Sequence, residues 1–554
     1  MRAAFLFFGI ISSFAVLSCT TSKSPAPETI YTNASIWTGV PNAARAQALA
    51  IRNGEIIAVG SNEAIAKLRR DSTAVIDLNG AFVVPGFMDS HTHFMSGGFQ
   101  LASVDLRDAK SPAEFAQRIA DFAKNLPEGR WLTGGDWDHE MWGGELPQRA
   151  WIDQLTPQHP VFVNRLDGHM ALANSKTLQL AGIDRNTPDP EGGTIVRDPK
   201  TKEPTGILKD EAMALVYRIM PDASEAEQDE AFARAASHAL ARGVTQVHDM
   251  GGWSDLATYR RAQERGDLKL RIYSVVPLST WAKLTEHVKH NGRGDEWLRW
   301  GGLKGFVDGS LGSTTAWFYQ PYADAPETSG LMTTDTTALR NWIIAADSAG
   351  LHVVVHAIGE AANDWLLNVY TQAANKNGAR DRRFRIEHAQ HLTRAAIARF
   401  AELGVIASMQ PYHAIDDGRW AAKRIGAERI KTTYAFRALI DAKAGLAFGS
   451  DWTVAPIEPL LGIYAAVTRR TTDGANPEGW VPEQKIAVEE ALRAYTSGAA
   501  YAGFQENRLG TLEPNKLADF VVLSEDLFAI ARVNIPNVRV LRTVVGGKDR
   551  FVSE

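Results

Sequence analysis

Gly86-Phe87-Met88-Asp89-Ser90-His91-Thr92-His93-Phe94 closes an apolar run, AFVVPGFMD, that begins at Ala81. In an extended chain, residues two apart point the same way, so His91 and His93 share a face. Two imidazoles on one side of a strand end can chelate a single divalent metal. Taken alone, the pair reads as surface histidines after a strand. The rest of the chain changes that reading.

Seven further apolar runs alternate with helical segments. They are GVTQVHDM from Gly243, LRIYSVV from Leu270, LKGFVDG from Leu303, LHVVVHA from Leu351, RFRIEHA from Arg383, GVIASMQ from Gly404 and GLAFGSD from Gly445. Eight strands with intervening helices predict an α/β fold of the (β/α)₈ TIM-barrel type. His356 closes VVVH, His388 closes RIEH and Asp451 follows LAFGS. Each lies at the carboxyl end of a strand, where barrel enzymes place their chemistry. A buried, hydrogen-bonded histidine is the bland reading of His356 or His388 singly. Three such positions together with the His91/His93 pair point to a metal site. Lys304 enters the otherwise apolar fourth strand. Burial is costly for an ammonium and lowers its pKa. A neutral amine can add carbon dioxide to give a carbamate, a two-oxygen anionic ligand able to bridge two metals. A lysine paired with Asp308, or exposed at a strand start, accounts for the residue equally well.

The gap from His93 to Gly243 is too long for an ordinary crossover and predicts an inserted subdomain at about 95–242. Within it, GGDWDHEMWGG (Gly134 to Gly144) carries Trp137 and Trp142 among acidic residues. These aromatics form either a lid over the site or the subdomain's own core. His169 either points into the site or makes a structural hydrogen bond. Asp308, His248, Asp249, Tyr412 and His413 lie near strand ends and are candidate pocket residues. Asp249 and Asp308 are also natural turn formers. The chain ends read as short strands with turns at Asn53-Gly54 and Gly546-Gly547. Neither end has enough apolar surface to stand alone. The two are expected to combine, 29–80 with 511–554, into one composite β-sandwich beside a barrel spanning 81–510.

The chain has 554 residues, 45% hydrophobic and 22% charged, which suits a large catalytic domain with accessories and excludes wholesale disorder. With 59 basic against 64 acidic residues, nucleic acid is not the expected partner. One cysteine excludes an internal disulfide framework and a cysteine-rich metal cluster. That cysteine, Cys19, follows Arg2, the apolar Ala3 to Leu17 and Ser18. This is the pattern of a secretory signal over 1–18, shorter than a transmembrane helix requires. The Leu17-Ser18-Cys19 ending resembles a bacterial lipobox. The resemblance implies lipidation of Cys19, a polar tether over 19–28, and a membrane-anchored lipoprotein at the outer membrane facing the periplasm. An ordinary signal peptide leaving a free thiol is the alternative.

GFMDSHTHF, followed by LKGFVDGSLGSTTAWF, VVVHAIGEAAND, FRIEHAQHL and LAFGSDWTVAP, resembles the amidohydrolase superfamily. The closest likeness is to its YtcJ-like branch, to which N-substituted formamide deformylase belongs, and it extends over nearly everything after the tether. It implies a metal-dependent hydrolase barrel beside a composite β domain, with one or two divalent ions, zinc expected. His91 and His93 match first-strand ligands, Lys304 the position carboxylated in many relatives, His356 and His388 the fifth- and sixth-strand ligands, and Asp451 the eighth-strand aspartate. One departure is visible: the branch commonly reads HAIGD, whereas here Glu360 follows Gly359. The extra methylene shifts that carboxylate outward.

The activity implied is hydrolysis of a carbon–nitrogen bond of amide, N-acyl or N-formyl type in a small molecule, with Asp451 as acid–base. A cyclic-amide hydrolase or deaminase using the same site is one alternative. A non-catalytic, solute-binding surface lipoprotein is another, disfavoured because a binding-only chain need not keep all six positions. Oligomeric state is open, a homo-oligomer included.

Overall fold

The computed structural model describes residues 26–553, apart from 166–169, 191–192 and 313. Cys19, the signal at 1–18, most of the tether and His169 lie outside the described residues.

The expected (β/α)₈ barrel is present. Its strands are β1 (Phe87–Thr92), β2 (Val244–Asp249), β3 (Arg271–Pro277), β4 (Leu298–Phe306), β5 (His352–Ala357), β6 (Arg385–His388), β7 (Ile406–Met409) and β8 (Gly445–Phe448). They form one eight-stranded parallel sheet in sequence order. Helices alternate with them, including Trp253–Glu264, Trp281–Asn291, Thr336–Ser348, Glu360–Asn377 and Arg394–Leu403. Their apolar faces, with Leu256, Leu284, Ile343, Leu366 and Phe400, bury against the strands in the main core. The ring closes just beyond the ends of β8 and β1. There the Asp451 N–H donates to the His91 carbonyl and the His93 N–H to the Trp452 carbonyl, both at 2.7 Å. Closure therefore falls on the segments that carry three of the expected metal ligands.

The apolar run from Ala81 is two strands rather than one. Phe82–Pro85 pairs antiparallel with Phe520–Leu523, in a five-stranded sheet completed by Ser35–Ile36, Val540–Val545 and Lys548–Val552. The Gly86 N–H still donates to Asp519, whereas the Phe87 N–H already turns to Gly243 beside β2. Both neighbours are apolar, so nothing in the residue pattern marks the handover. A four-stranded sheet of Thr29–Thr32, Ala48–Arg52, Glu55–Gly60 and Ala74–Asp77 lies against the first. Tyr31, Leu49 and Ile56 from one and Val83, Phe520 and Val544 from the other form the shared core. This sandwich draws strands from both chain ends.

Between β1 and β2 the chain builds a six-stranded sheet, Gly193–Arg197, Pro204–Asp210, Met170–Ala173, Phe162–Arg165, Gly134–Trp137 and Val104–Asp105 in spatial order. Helix Pro112–Ala123 packs on it through Phe115 and Ile119. Among the described residues no helix is long and apolar enough to cross a membrane.

Barrel and sandwich are tied by a buried ion pair. Arg271 at the start of β3 reaches Asp519 with Nε at 2.6 Å and Nη2 at 2.9 Å, and both side chains are 2% exposed. Asp519 also accepts the Gly546 N–H at 2.8 Å. Removing one partner leaves a buried charge uncompensated. Asp519→Ala is expected to destabilise the protein by about 3–5 kcal/mol, read by urea unfolding. A loss below about 1 kcal/mol, the size of an exposed pair, would show that the tie is not structural.

Candidate metal centre

At the carboxyl end of the barrel the structure gathers His91, His93, Lys304, His356, His388 and Asp451. The ligand atoms of His91, His388 and Asp451 lie within 4.8 Å of one another. His93 Nε2 is 3.3 Å and His91 Nε2 3.5 Å from Asp451 Oδ1, and Lys304 Nζ is 3.1 Å from His91 Nε2. The His356 and His388 ring centres are 4.6 Å apart. Two of these positions have left-handed backbone, His388 at φ 73° and Asp451 at φ 58°. Side chains seldom take that conformation without a surrounding constraint. For Asp451 the constraint is visible. Asp89 accepts the His91 N–H at 3.1 Å and the Ser450 N–H at 2.9 Å, clasping the ends of β1 and β8 together. A Cβ on Gly449 would come 2.5 Å from His91 N, so this approach requires glycine.

The partners of the ring nitrogens decide which of them face the cluster. Glu387, a carboxylate, can only accept from His91 Nδ1 at 2.5 Å, so the Nε2 lone pair faces Lys304 and Asp451. His388 Nδ1 donates to Gln410 Oε1 at 2.8 Å, leaving its Nε2 free. His356 donates from Nε2 to the Gly309 carbonyl at 3.0 Å, which frees Nδ1. Arg385 holds Glu387 through Nε at 2.8 Å and Nη2 at 3.0 Å, and its Nη1 contacts His248 Nδ1 at 2.9 Å.

The charges follow from burial and neighbours. Burial, with Lys304 beside it, pushes the His91 imidazole down to about 4, which keeps it in the neutral, ligating form. Burial brings the Lys304 ammonium down to about 8. Burial alone would raise Glu387, but Arg385 and His91 more than reverse it and hold the carboxyl well below its usual range. Asp451 is likewise drawn well down by His91, His93 and His388 against the effect of burial.

His93, Lys304, His356, His388 and Asp451 floor a cavity of about 500 Å³ whose walls include Phe306, Ile358, Tyr412, His413, Trp420 and Val454. Tyr412 and His413 thus line it. His413 stacks on His388 at 6.5 Å, and its Nε2 is buried with no hydrogen-bond partner among the described residues.

Two pocket expectations are corrected. Asp308 is not a substrate contact. Its carboxylate is 1% exposed and accepts the Trp317, Ile358 and Gly359 N–H groups at 2.8–3.0 Å. It pins the loops after β4 and β5, and so does not pair with Lys304. Trp137 is not a lid. It is 0% exposed in the insert's core, edge-on to Phe115, with its indole N–H on the Val163 carbonyl at 2.9 Å. Asp249 is a turn anchor, accepting the Phe94 N–H and the Tyr259 hydroxyl at 2.8 Å each. Glu360 opens helix Glu360–Asn377, half-buried and outside the cavity lining. Sequence reading missed Glu387, Arg385 and Gln410. The signal for the first two was there: charges two apart in RFRIEH, on one face of an otherwise apolar strand.

A parallel barrel with imidazoles and a carboxylate converging at its carboxyl end defines a metal-dependent hydrolase. A family model described as "Amidohydrolase family" matches residues 74–550, and the chain belongs to that family. It is 43% identical to Protein LONG AFTER FAR-RED 3 of Arabidopsis thaliana, over 96% of this chain and 93% of that one. It is 34% identical to the putative amidohydrolase YtcJ of Bacillus subtilis, over 93% and 97%. Its identity to N-substituted formamide deformylase of Arthrobacter pascens is 28%, over 94% and 97%. An uncharacterized metal-dependent hydrolase from Pyrococcus horikoshii OT3 superposes with a TM-score of 0.78 at 30% identity, covering 91% of this chain and 99% of that one.

Partners of ligating histidines tune metal affinity, and losing one typically costs ten- to a hundredfold. Glu387→Gln is expected to weaken divalent-metal retention by about that factor in chelator competition, with the far-ultraviolet dichroism unchanged. Unaltered retention would remove Glu387 from the site.

Proposed function

We propose that the protein hydrolyses a carbon–nitrogen bond in small amides of the N-acyl or N-formyl class, using zinc. The observation that carries this reading is Asp451, whose carboxylate lies 3.3 Å from His93 and 3.5 Å from His91 at the floor of the open cavity. The likeness to N-substituted formamide deformylase over 94% of the chain supports the bond type.

The donor set fits zinc, which takes imidazole nitrogen and carboxylate oxygen. His91, His93, His356, His388 and Asp451 would hold it, joined by Lys304 as a carbamate formed from carbon dioxide. When bound, such an ion polarises the scissile carbonyl and acidifies the attacking water. The chain's own groups do the rest. Asp451, kept ionised by the surrounding imidazoles, accepts the proton of the attacking water. It then delivers that proton to the departing nitrogen, so that the carbon–nitrogen bond breaks to an acid and an amine. Phe306, Tyr412 and Trp420 give the cavity an aromatic wall that orients the apolar part of the substrate. Glu387 and Arg385 keep His91 in one tautomer and need no contact with substrate. Export as a lipoprotein through Cys19 completes the proposal and places such hydrolysis at the membrane face of the periplasm.

Asp451→Asn is expected to lower turnover of a hydrolysed N-formyl or N-acyl amine by about 10²–10⁴ with the fold intact. Near-normal turnover would take the proton-transfer role from Asp451. Dialysis against a chelator is expected to abolish activity and zinc to restore it, and full activity in metal-free protein would sink the scheme. Hydrolysis confined to cyclic amides would replace the substrate class. Cys19→Ala is expected to abolish labelling by a radioactive fatty acid in a bacterial host, and retained labelling would refute lipidation at Cys19.

A further inference from the structure

The opposite, amino-terminal mouth of the barrel holds a second cavity, of about 200 Å³. It lies between the starts of β4, β5 and β6, and Arg293, Arg299, Arg380, Tyr273 and His352 line it. Nothing in the hydrolytic scheme uses it.

Its cations are under-neutralised. Arg299, the second residue of β4, binds only carbonyl oxygens, those of Phe504 at 2.9 Å and Gly503 at 3.3 Å. Arg293 likewise donates to the Gly350 carbonyl at 2.7 Å. Arg380 and Arg382 share one carboxylate, Asp347. Asp381 at the rim turns to Arg383, which also takes Glu506. Five guanidiniums thus face three carboxylates, leaving two positive charges in excess. Burial, with Arg293 beside it, pulls the Arg299 guanidinium below its ordinary value against the opposing attraction of Tyr273 and of Glu506, which is ion-paired with Arg383. The arrangement is also built for Arg293. Gly301 lies in β4 at φ 124°, and a Cβ there would stand 2.3 Å from Arg293 Nη1. The backbone conformation at Gly301 favours glycine, and the missing side chain leaves room for that guanidinium over the strand.

We propose that this cavity binds a phosphoryl dianion, either free phosphate or the head of a small phosphomonoester, between Arg293 and Arg299. Two guanidiniums without carboxylate partners match its charge, and their forked N–H donors match its oxygens. The volume equals roughly six or seven waters at about 30 Å³ each, enough for one such group. This mouth is the stability face of a barrel rather than its catalytic face, so the bound anion would clamp the starts of β4 to β6.

The test is calorimetric titration of the intact, metal-loaded protein at constant ionic strength with inorganic phosphate, a nucleoside monophosphate, acetate and chloride. One equivalent of phosphate or of the monophosphate is expected to bind, with acetate and chloride far weaker. Tighter phosphate assigns the free ion, and tighter monophosphate assigns a phosphorylated metabolite. Arg299→Gln and, separately, the more exposed Arg293→Gln are each expected to weaken binding by about ten- to a hundredfold, the loss of a charge-assisted hydrogen bond. Their unfolding midpoints in phosphate-free buffer show whether each variant is folded, and Arg293→Gln decides if Arg299→Gln is not. Binding unchanged in the folded variants would place the anion elsewhere, including the metal centre, and overturn the proposal. So would no binding at millimolar phosphate, or equal binding of acetate.

Discussion

The seam between β8 and β1 governs this structure. The hydrogen bonds that close the barrel there are made by the backbone of His91, His93, Asp451 and Trp452. Asp89 reinforces the seam from inside by accepting N–H groups from both sides. Buried backbone groups without partners are costly, and closing the ring gives the edge amides of β1 and β8 their partners. The requirement that completes the sheet therefore also sets the separation of three candidate ligands. Their geometry is held by backbone hydrogen bonds that cross the seam.

Behind that seam the barrel interior is unusually polar. Arg385, Glu387 and His248 are buried without measurable exposure. Charges in such a place are tolerated only when paired and hydrogen-bonded. Arg385 achieves this with Glu387, the Ser90 carbonyl and Ser408 at once. The network contributes order more than stability: it leaves His91 a single proton position and a single orientation. His388 gets the same treatment from Gln410 with neutral groups. The two imidazoles are thus fixed by different chemistry, one electrostatic and one dipolar.

Much of this was legible in the residues, for identifiable reasons. Barrel strands buried on both faces read as apolar runs, and a polar residue ending such a run stands out. That is why His356, His388 and Asp451 could be named, and why eight strands could be counted. The handover at Gly86 was not legible, because both of its partner strands are apolar. Asp308 and Trp137 misled for a related reason. A residue type near a strand end, or an aromatic among acidic residues, shows what a side chain can do. Its orientation depends on long-range partners, here three amides from 9 to 51 positions away for Asp308 and a carbonyl 26 positions away for Trp137. Glu387 carried a readable signal that a histidine next to it overshadowed.

The interleaved sandwich bears on how the molecule is made. Phe82–Pro85 lies between Ser35–Ile36 and Phe520–Leu523, so one of its neighbours leaves the ribosome more than 400 residues after it. Synthesis runs at about 5–20 residues per second, so that edge waits on the order of half a minute or longer for its mate. Until then an apolar strand with unpaired amides is open to association with other chains. Early β-structure thus needs a strand made more than 400 residues later, which makes a nascent chain of this protein a natural client for chaperones until that strand arrives.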